Sequence, residues 1–343
     1  MNGSLHALRR TLGTVDVAAR IAMLAIVWIV FSLLDSGFAN EDSLFSVLQG
    51  FAFLGLVAVG VGVAMIAGEL DLSAASVATV AGIIAVKLAG LGLVPAIVLT
   101  TIFGGIYGAL QGTAIAWLRI NSVVFTIGML FALRGVANVL TDSQAVLLPI
   151  DRLDQSDTLI ERFGIFSPYS LITIGVMIIV GGALAVSRYG REIYAIGGAR
   201  QESAAAGVAQ RRPLILAFAL SGATASLAGA ISSIVAGSGS SQAFSSLLLL
   251  AVTAALIGGI GLYGGRGTML NVALGVLILE SFVVGLTNEG AAEDTQQLAT
   301  GGLLLLAIVI EFAIDREARA RTRALLGGFW RPRGRRPQPA TTT

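Results

Sequence analysis

Residues 44–66 read LFSVLQGFAFLGLVAVGVGVAMI and residues 72–89 read LSAASVATVAGIIAVKLA, with only AGELD between them. Each run matches the ~20 residues with which a helix crosses ~30 Å of hydrocarbon. A joint this short returns the chain at once to the same apolar medium, a pattern of membrane proteins and not of soluble cores. Similar runs cover Ala18–Leu34, Gly92–Leu118 and Val123–Leu140. Beyond a polar segment come Tyr169–Ser187, Pro213–Ala236, Ser245–Tyr263, Gly267–Thr287 and Gln297–Ile314. The expected fold is all-α and polytopic, with about ten transmembrane helices over residues 18–315. Tails at 1–17 and 316–343 flank them.

Composition agrees with that reading. Of 343 residues, 55% are hydrophobic and 12% charged, against about a quarter charged in soluble domains. The 43 Gly against 7 Pro suit helices whose backbones approach closely. Cysteine is absent, which excludes disulfides, thiolate metal sites and cysteine nucleophiles. The single His, His6, lies in the N-terminal tail, so His-based metal sites and Ser-His pairs are excluded as well. No nucleophile–base pair stands out, and a membrane enzyme is a poor reading.

An even number of spans puts both termini on one side. With that side cytoplasmic, 18 of the 22 basic residues fall inside, eight of them after residue 315. Only Lys87, Arg134, Arg152 and Arg162 fall outside or toward the outer end of a span, an asymmetry that the positive-inside rule demands. Basic residues at membrane edges account for the positive charge without a nucleic-acid partner. The Arg-rich tail at 316–343 reads as an anchor against anionic membrane lipid. The first span reads as an uncleaved start signal, although Gly37-Phe38-Ala39 is a passable cleavage site. The external segment 141–168 carries five acids and is long enough to fold over the outer mouth or to receive a partner. The internal segment 188–212 has a helix-like centre, Gln201 to Ala206, stopped at Gly207.

Charge at membrane depth is costly and usually has a purpose. Glu69, Asp71 and Ser73 stand between two apolar spans, where they either cap the helix that starts at residue 72 or line a solute path. Arg134 lies deep in its span, as a pathway residue or snorkelling toward Asp142. Glu280, equally deep, pairs with Arg134 or faces the pathway. Gly104, Gly108 and Gly112 form two Gly-xxx-Gly steps on one helix face, read as packing within the bundle. The run 64–68 (AMIAG) faintly resembles 255–259 (ALIGG), as repeats in transporters do. Residues 261–267 mimic a phosphate loop but lack its Lys-Ser/Thr ending, and the only Lys is Lys87, so this chain carries no Walker A motif.

Residues 65–82, with Gly68-Glu69-Leu70-Asp71-Leu72-Ser73 at their centre, resemble the Gly-Gly-Ile-Asp-Leu-Ser-Val-Gly-Ser signature of ribose-type ATP-binding cassette (ABC) sugar permeases. Glu69 replaces an apolar residue there, and Ala75 a usual Gly. The likeness continues at Phe125 to Met129 with Arg134-Gly135, at Gly190 to Gly198, and at Leu262 to Gly267, in the family's order. It implies the ABC importer permease fold in a bacterial inner membrane and import of a small polar solute, most naturally a monosaccharide or related polyol. It implies a second permease copy, two cytoplasmic ABC ATPase domains and a periplasmic or lipid-anchored solute-binding protein as partners. No cofactor is bound by this chain; ATP and Mg belong to the ATPase subunits. Arg191, Glu192, Glu202 and Gly207 fall where the resemblance places ATPase contacts, on a coupling loop. The rival class is an ion-coupled secondary transporter using Glu69, Asp71 or Glu280.

Overall fold

The computed structural model describes residues 2–309 and Phe312, with side chains from Val17 onward. The basic tail at 316–343 lies outside the described residues. In chain order the helices are α1 Asn2–Leu34, α2 Glu41–Ile66, α3 Ala74–Leu88, α4 Leu93–Leu118, α5 Ser122–Thr141, α6 Leu153–Asp157, α7 Pro168–Val186, α8 Arg188–Gly198, α9 Arg200–Ala205, α10 Arg211–Val235, α11 Leu247–Gly258 and α12 Met269–Asn288. Residues 293–309 form a last described helix, α13. Among the described residues eight helices are long and apolar enough to cross a bilayer: α1 to α5, α7, α10 and α12. With the shorter α11 and α13 they make up the apolar segments read from the sequence.

One span differs in form. The run Ser245–Tyr263 is a helix only over Leu247–Gly258. Phe244 before it and Gly259, Gly264, Gly265 and Gly267 after it all take positive φ, so the backbone unwinds at both ends. The internal segment 188–212 contains α8 as well as the expected α9.

Local chemistry sets the helix starts. Asn40 accepts from the Ser43 amide at 2.7 Å, Asn121 from Val124, and Ser167 forms a reciprocal capping box with Ser170. At the centre stands α10, packed on α2, α3 and α4. Its small residues let three backbones approach at once. A Cβ at Gly222 would strike the Gly104 carbonyl, and one at Gly229 the Ala78 carbonyl. Gly104, Gly108 and Gly112 of α4 meet α10 at Gly222 and Ser226, at Phe218, and at Ile215. The opposite face of α4 exposes Val98, Ile102, Ile106 and Leu110, an apolar stripe free for lipid.

Residues 141–168 are folded onto one end of the bundle. Strand β1 (Val146–Leu147) pairs antiparallel with β2 (Ser238–Gly239), and Leu148 packs with Ala85, Ala89, Leu93, Ala230 and Ile234. Arg162 pairs with Asp42 and Glu41 at the start of α2 and lies over Phe45. Segment α8–α9 lies at the opposite end.

Candidate functional site

Helix α2 ends at Ile66, and Gly68, with a φ of +78°, turns the chain. The Gly68 and Glu69 amides return to the carbonyls of Met65 and Ala64 at 2.9 and 3.0 Å, closing the helix end. The chain then crosses the interior with Asp71 only 2% exposed. Its Oδ1 accepts from the Ser73 amide and Gln111 Nε2, both at 3.1 Å, and from the Ser73 hydroxyl at 2.6 Å. Its Oδ2 accepts from the Ser221 hydroxyl at 2.7 Å. A buried carboxylate persists only when paired or fully hydrogen-bonded; here the donors come from α4, α10 and its own loop. Ser73 makes no side-chain cap of α3, because its hydroxyl is turned to Asp71. The carboxylate therefore ties three elements together. Thr126 of α5 bonds the same loop, accepting from Leu72 N at 3.2 Å and donating to Leu70 O at 3.3 Å.

Above this loop, toward the end covered by residues 141–168, α3 and α5 line an open cavity of about 140 Å³, at which Arg134, Asn138, Gln242 and Ser245 are exposed. Ser76 and Thr79 line it from α3, Arg134 and Asn138 from α5, and Ser241, Gln242 and Ser245 from the turn between α10 and α11. That turn is held by Thr79, whose hydroxyl donates to the Ala243 carbonyl at 2.9 Å. The lining is hydroxyl, amide and guanidinium, with no carboxylate.

Arg134 and Glu280 do not meet. Helix α5 packs on α3, whereas α12 packs on α1, α2, α7 and α11. Among the described residues no ion pair joins Arg134 to Glu280 or to Asp142. The span limits of α5 agree with the sequence reading to one residue, and Arg134 faces a polar cavity instead of Glu280. Glu280 packs against Gly50 of α2, where any Cβ would collide with its carboxylate.

At the other end the chain breaks at Ser187, whose hydroxyl accepts from the Gly190 amide at 2.9 Å and starts α8. Glu192 is buried and accepts from Arg188 Nε at 2.8 Å, so it braces the helix and leaves the exposed surface to Arg191, Glu202 and Gly207. Gly207 (φ +80°) ends α9, with open space where a Cβ would stand.

Three glycine turns interlock beneath α8. A Cβ on Gly197 would strike the Ile66 carbonyl, one on Gly264 the Gly68 Cα at 2.6 Å, and one on Gly265 the Gly198 backbone. The Gly265 amide donates to the Ile66 carbonyl at 2.8 Å, and the Tyr194 hydroxyl to the Gly267 carbonyl at 2.7 Å. Burial pushes the Tyr194 phenol up, which keeps it a neutral donor. Among the described residues no cluster of three or more His, Cys, Asp or Glu is placed to hold a metal ion.

Sequence reasoning missed Gln111, Ser221, Ser76, Thr79 and Asn138. Two signals were legible: Ser73, Ser76 and Thr79 recur every third residue on α3, and Asn138 follows Arg134 by one helical turn.

The interior thus holds a buried carboxylate that ties the start of α3 to α4 and α10, with a polar cavity toward one end and an exposed helical elbow at the other. Residues 43–308 match the family described as branched-chain amino acid transport system / permease component. The chain belongs to this permease family. The permease is 30% identical to the ribose import permease protein RbsC of Escherichia coli (strain K12), covering 85% of this chain and 92% of that one. Its identity to the L-arabinose permease AraH of Azospirillum brasilense is 28%, over 85% and 86%. With the autoinducer 2 import permease LsrC of Photorhabdus luminescens it is 29%, over 79% and 82%. No solved structure matches the permease.

Proposed function

We propose that this permease admits a neutral, hydroxyl-rich solute of monosaccharide size through the cavity between α3 and α5. The observation that carries this is the lining: seven hydrogen-bonding side chains from three elements, none of them acidic. Hydroxyls and amides both donate and accept, matching the edges of a sugar, and Arg134 adds donors that need no fixed counter-charge. The names of the relatives, a ribose import permease and an L-arabinose ABC transporter permease among them, point the same way. An ion-coupled mechanism would want a carboxylate on the path, whereas Asp71 is fully engaged in hydrogen bonds and Glu280 lies on the far side of the bundle.

With no nucleotide loop of its own, the permease takes its energy from ATPase subunits that press on α8–α9. The exposed Arg191, Glu202 and Gly207 are the contacts, and that end is the cytoplasmic one, in agreement with the distribution of Arg. Residues 141–168 then face a solute-binding protein in the periplasm, and a second permease copy completes the pathway. The test is uptake of labelled pentoses and hexoses into proteoliposomes. Uptake that requires the ATPase, ATP and the binding protein supports the reading; uptake by the isolated chain down an ion gradient contradicts it.

A further inference from the structure

Glu69 belongs to neither the cavity nor the exposed elbow. Its side chain is only 10% exposed, and its Oε1 accepts from Arg200 Nη2 at 2.6 Å. Arg200 is the first residue of α9, just past the hinge at Ala199, where φ is −156° and ψ 75°. Glu69 sits one residue beyond the turn of Gly68 and two before Asp71.

The short loop from Gly68 to Ser73 joins α2 to α3 and touches three further helices. Asp71 fastens it to α4 and α10, and Thr126 fastens it to α5. From this loop α3 rises to carry Ser76 and Thr79, and α5 rises from Thr126 to Arg134 and Asn138, so both long walls of the cavity are rooted here. Ser76 also donates to the Leu130 carbonyl of α5 at 3.1 Å, which keeps those walls together. Among the described residues the ion pairs number five, and Glu69–Arg200 is the one that joins α9 to this loop.

We infer that Glu69–Arg200 is a strap that carries the displacement of α9 to the roots of α3 and α5. This rests on the reading of α8–α9 as the coupling segment. Glu69 and Arg200 are positioning residues and touch no solute. The glycine joint beneath α8 holds α8 by close contact and neutral hydrogen bonds; the strap adds an ion pair between α9 and the loop. A pull on α9 therefore reaches the cavity walls through a short charge-assisted bond, shielded on the Glu69 side and half-exposed on the Arg200 side.

The experiment uses the purified complex of this chain with its ATPase and binding protein, carrying Glu69→Gln, Arg200→Gln, or the exchanged pair E69R/R200E. Each single variant should lower solute stimulation of ATP hydrolysis about five-fold or more, the lower range of an allosteric coupling. The exchanged pair should regain most of it, a recovery that a purely structural loss would not show. Single variants with full stimulation, or an assembled exchanged pair no better than the singles, would overturn the strap. Should that pair fail to assemble, cysteines at both positions in this cysteine-free chain, bridged by a short bis-maleimide, replace it. The bridge should restore stimulation lost without it, and equal activity in both forms overturns the inference. A wild-type complex with no solute stimulation would count against the coupling assignment, whereas a stimulated wild type with unaffected variants removes only the strap.

Discussion

The turn that closes α2 and the turn that closes α11 share one backbone and carry different side chains. In the first, the amides of Gly68 and Glu69 return to Met65 and Ala64; in the second, those of Gly259 and Ile260 return to Leu256 and Ala255, with φ of +78° and +88° at the two glycines. The faint likeness between residues 64–68 and 255–259 is thus a likeness of structure. After the turn the two diverge. The first continues into Glu69, Asp71 and Ser73, which reach α9, α4 and α10 by side chains. The second continues into Ile260 and the glycines 264, 265 and 267, which reach α2 and α8 by backbone alone. One half is tied by charge and hydroxyl, the other by the absence of side chains, and the two kinds of tie fail differently.

The largest effect should come from removing charge in the first half. Asp71→Ala leaves the Ser73 amide, Gln111 and Ser221 without their buried acceptor, and loss of ~2–4 kcal/mol is expected by unfolding in mixed micelles. A change below ~1 kcal/mol would mean that water replaces the carboxylate and would break the comparison. In the second half Gly197→Ala pushes a methyl into the Ile66 carbonyl, with an expected cost of ~1–3 kcal/mol in the same assay. Gly207→Ala in α9 meets only strain at positive φ and should cost ~1 kcal/mol. Equal costs for the two glycines would show that the joint is looser than its contacts imply.

Transport should separate from stability at the cavity. Arg134→Ala is expected to reduce uptake about ten-fold with little change in unfolding, since the side chain packs no core and its removal takes away only donors to the solute, worth ~1.5 kcal/mol. Uptake at the wild-type rate would remove the cavity from the pathway. The smallest effect belongs to Arg162→Ala at the other end, where the pairs to Glu41 and Asp42 are largely solvent-exposed. Less than ~1 kcal/mol is expected, shrinking further in high salt.

The helices of the permease were legible because lipid imposes a length on every span, and α2, α4 and α5 begin and end close to where their apolar runs do. Helix α8 was not, since its charged and glycine residues carry no run and its start depends on a kink at Ser187. The buried carboxylate was singled out by its position between apolar runs, but its partners were not, because Gln111 and Ser221 are distant in sequence and polar residues in a membrane helix do not announce which neighbour they face. Arg134 and Glu280 suggested each other by depth alone. Depth places two residues in one layer of the membrane without placing their helices side by side, and α5 and α12 are separated by the bundle. The resemblance put Glu192 on the elbow with Arg191, and only the fold shows its carboxylate largely buried and paired with the exposed Arg188.

The account stands on the elbow α8–α9 being the place where an outside engine acts. A single cysteine at position 202, in a chain with no others, tests this in native membranes. The prediction is a cross-link from that cysteine to the ATPase subunit, with a yield that changes when a non-hydrolysable ATP analogue is added. Modification of the same cysteine by a membrane-impermeant maleimide from the periplasmic side, with no ATPase captured, would contradict it.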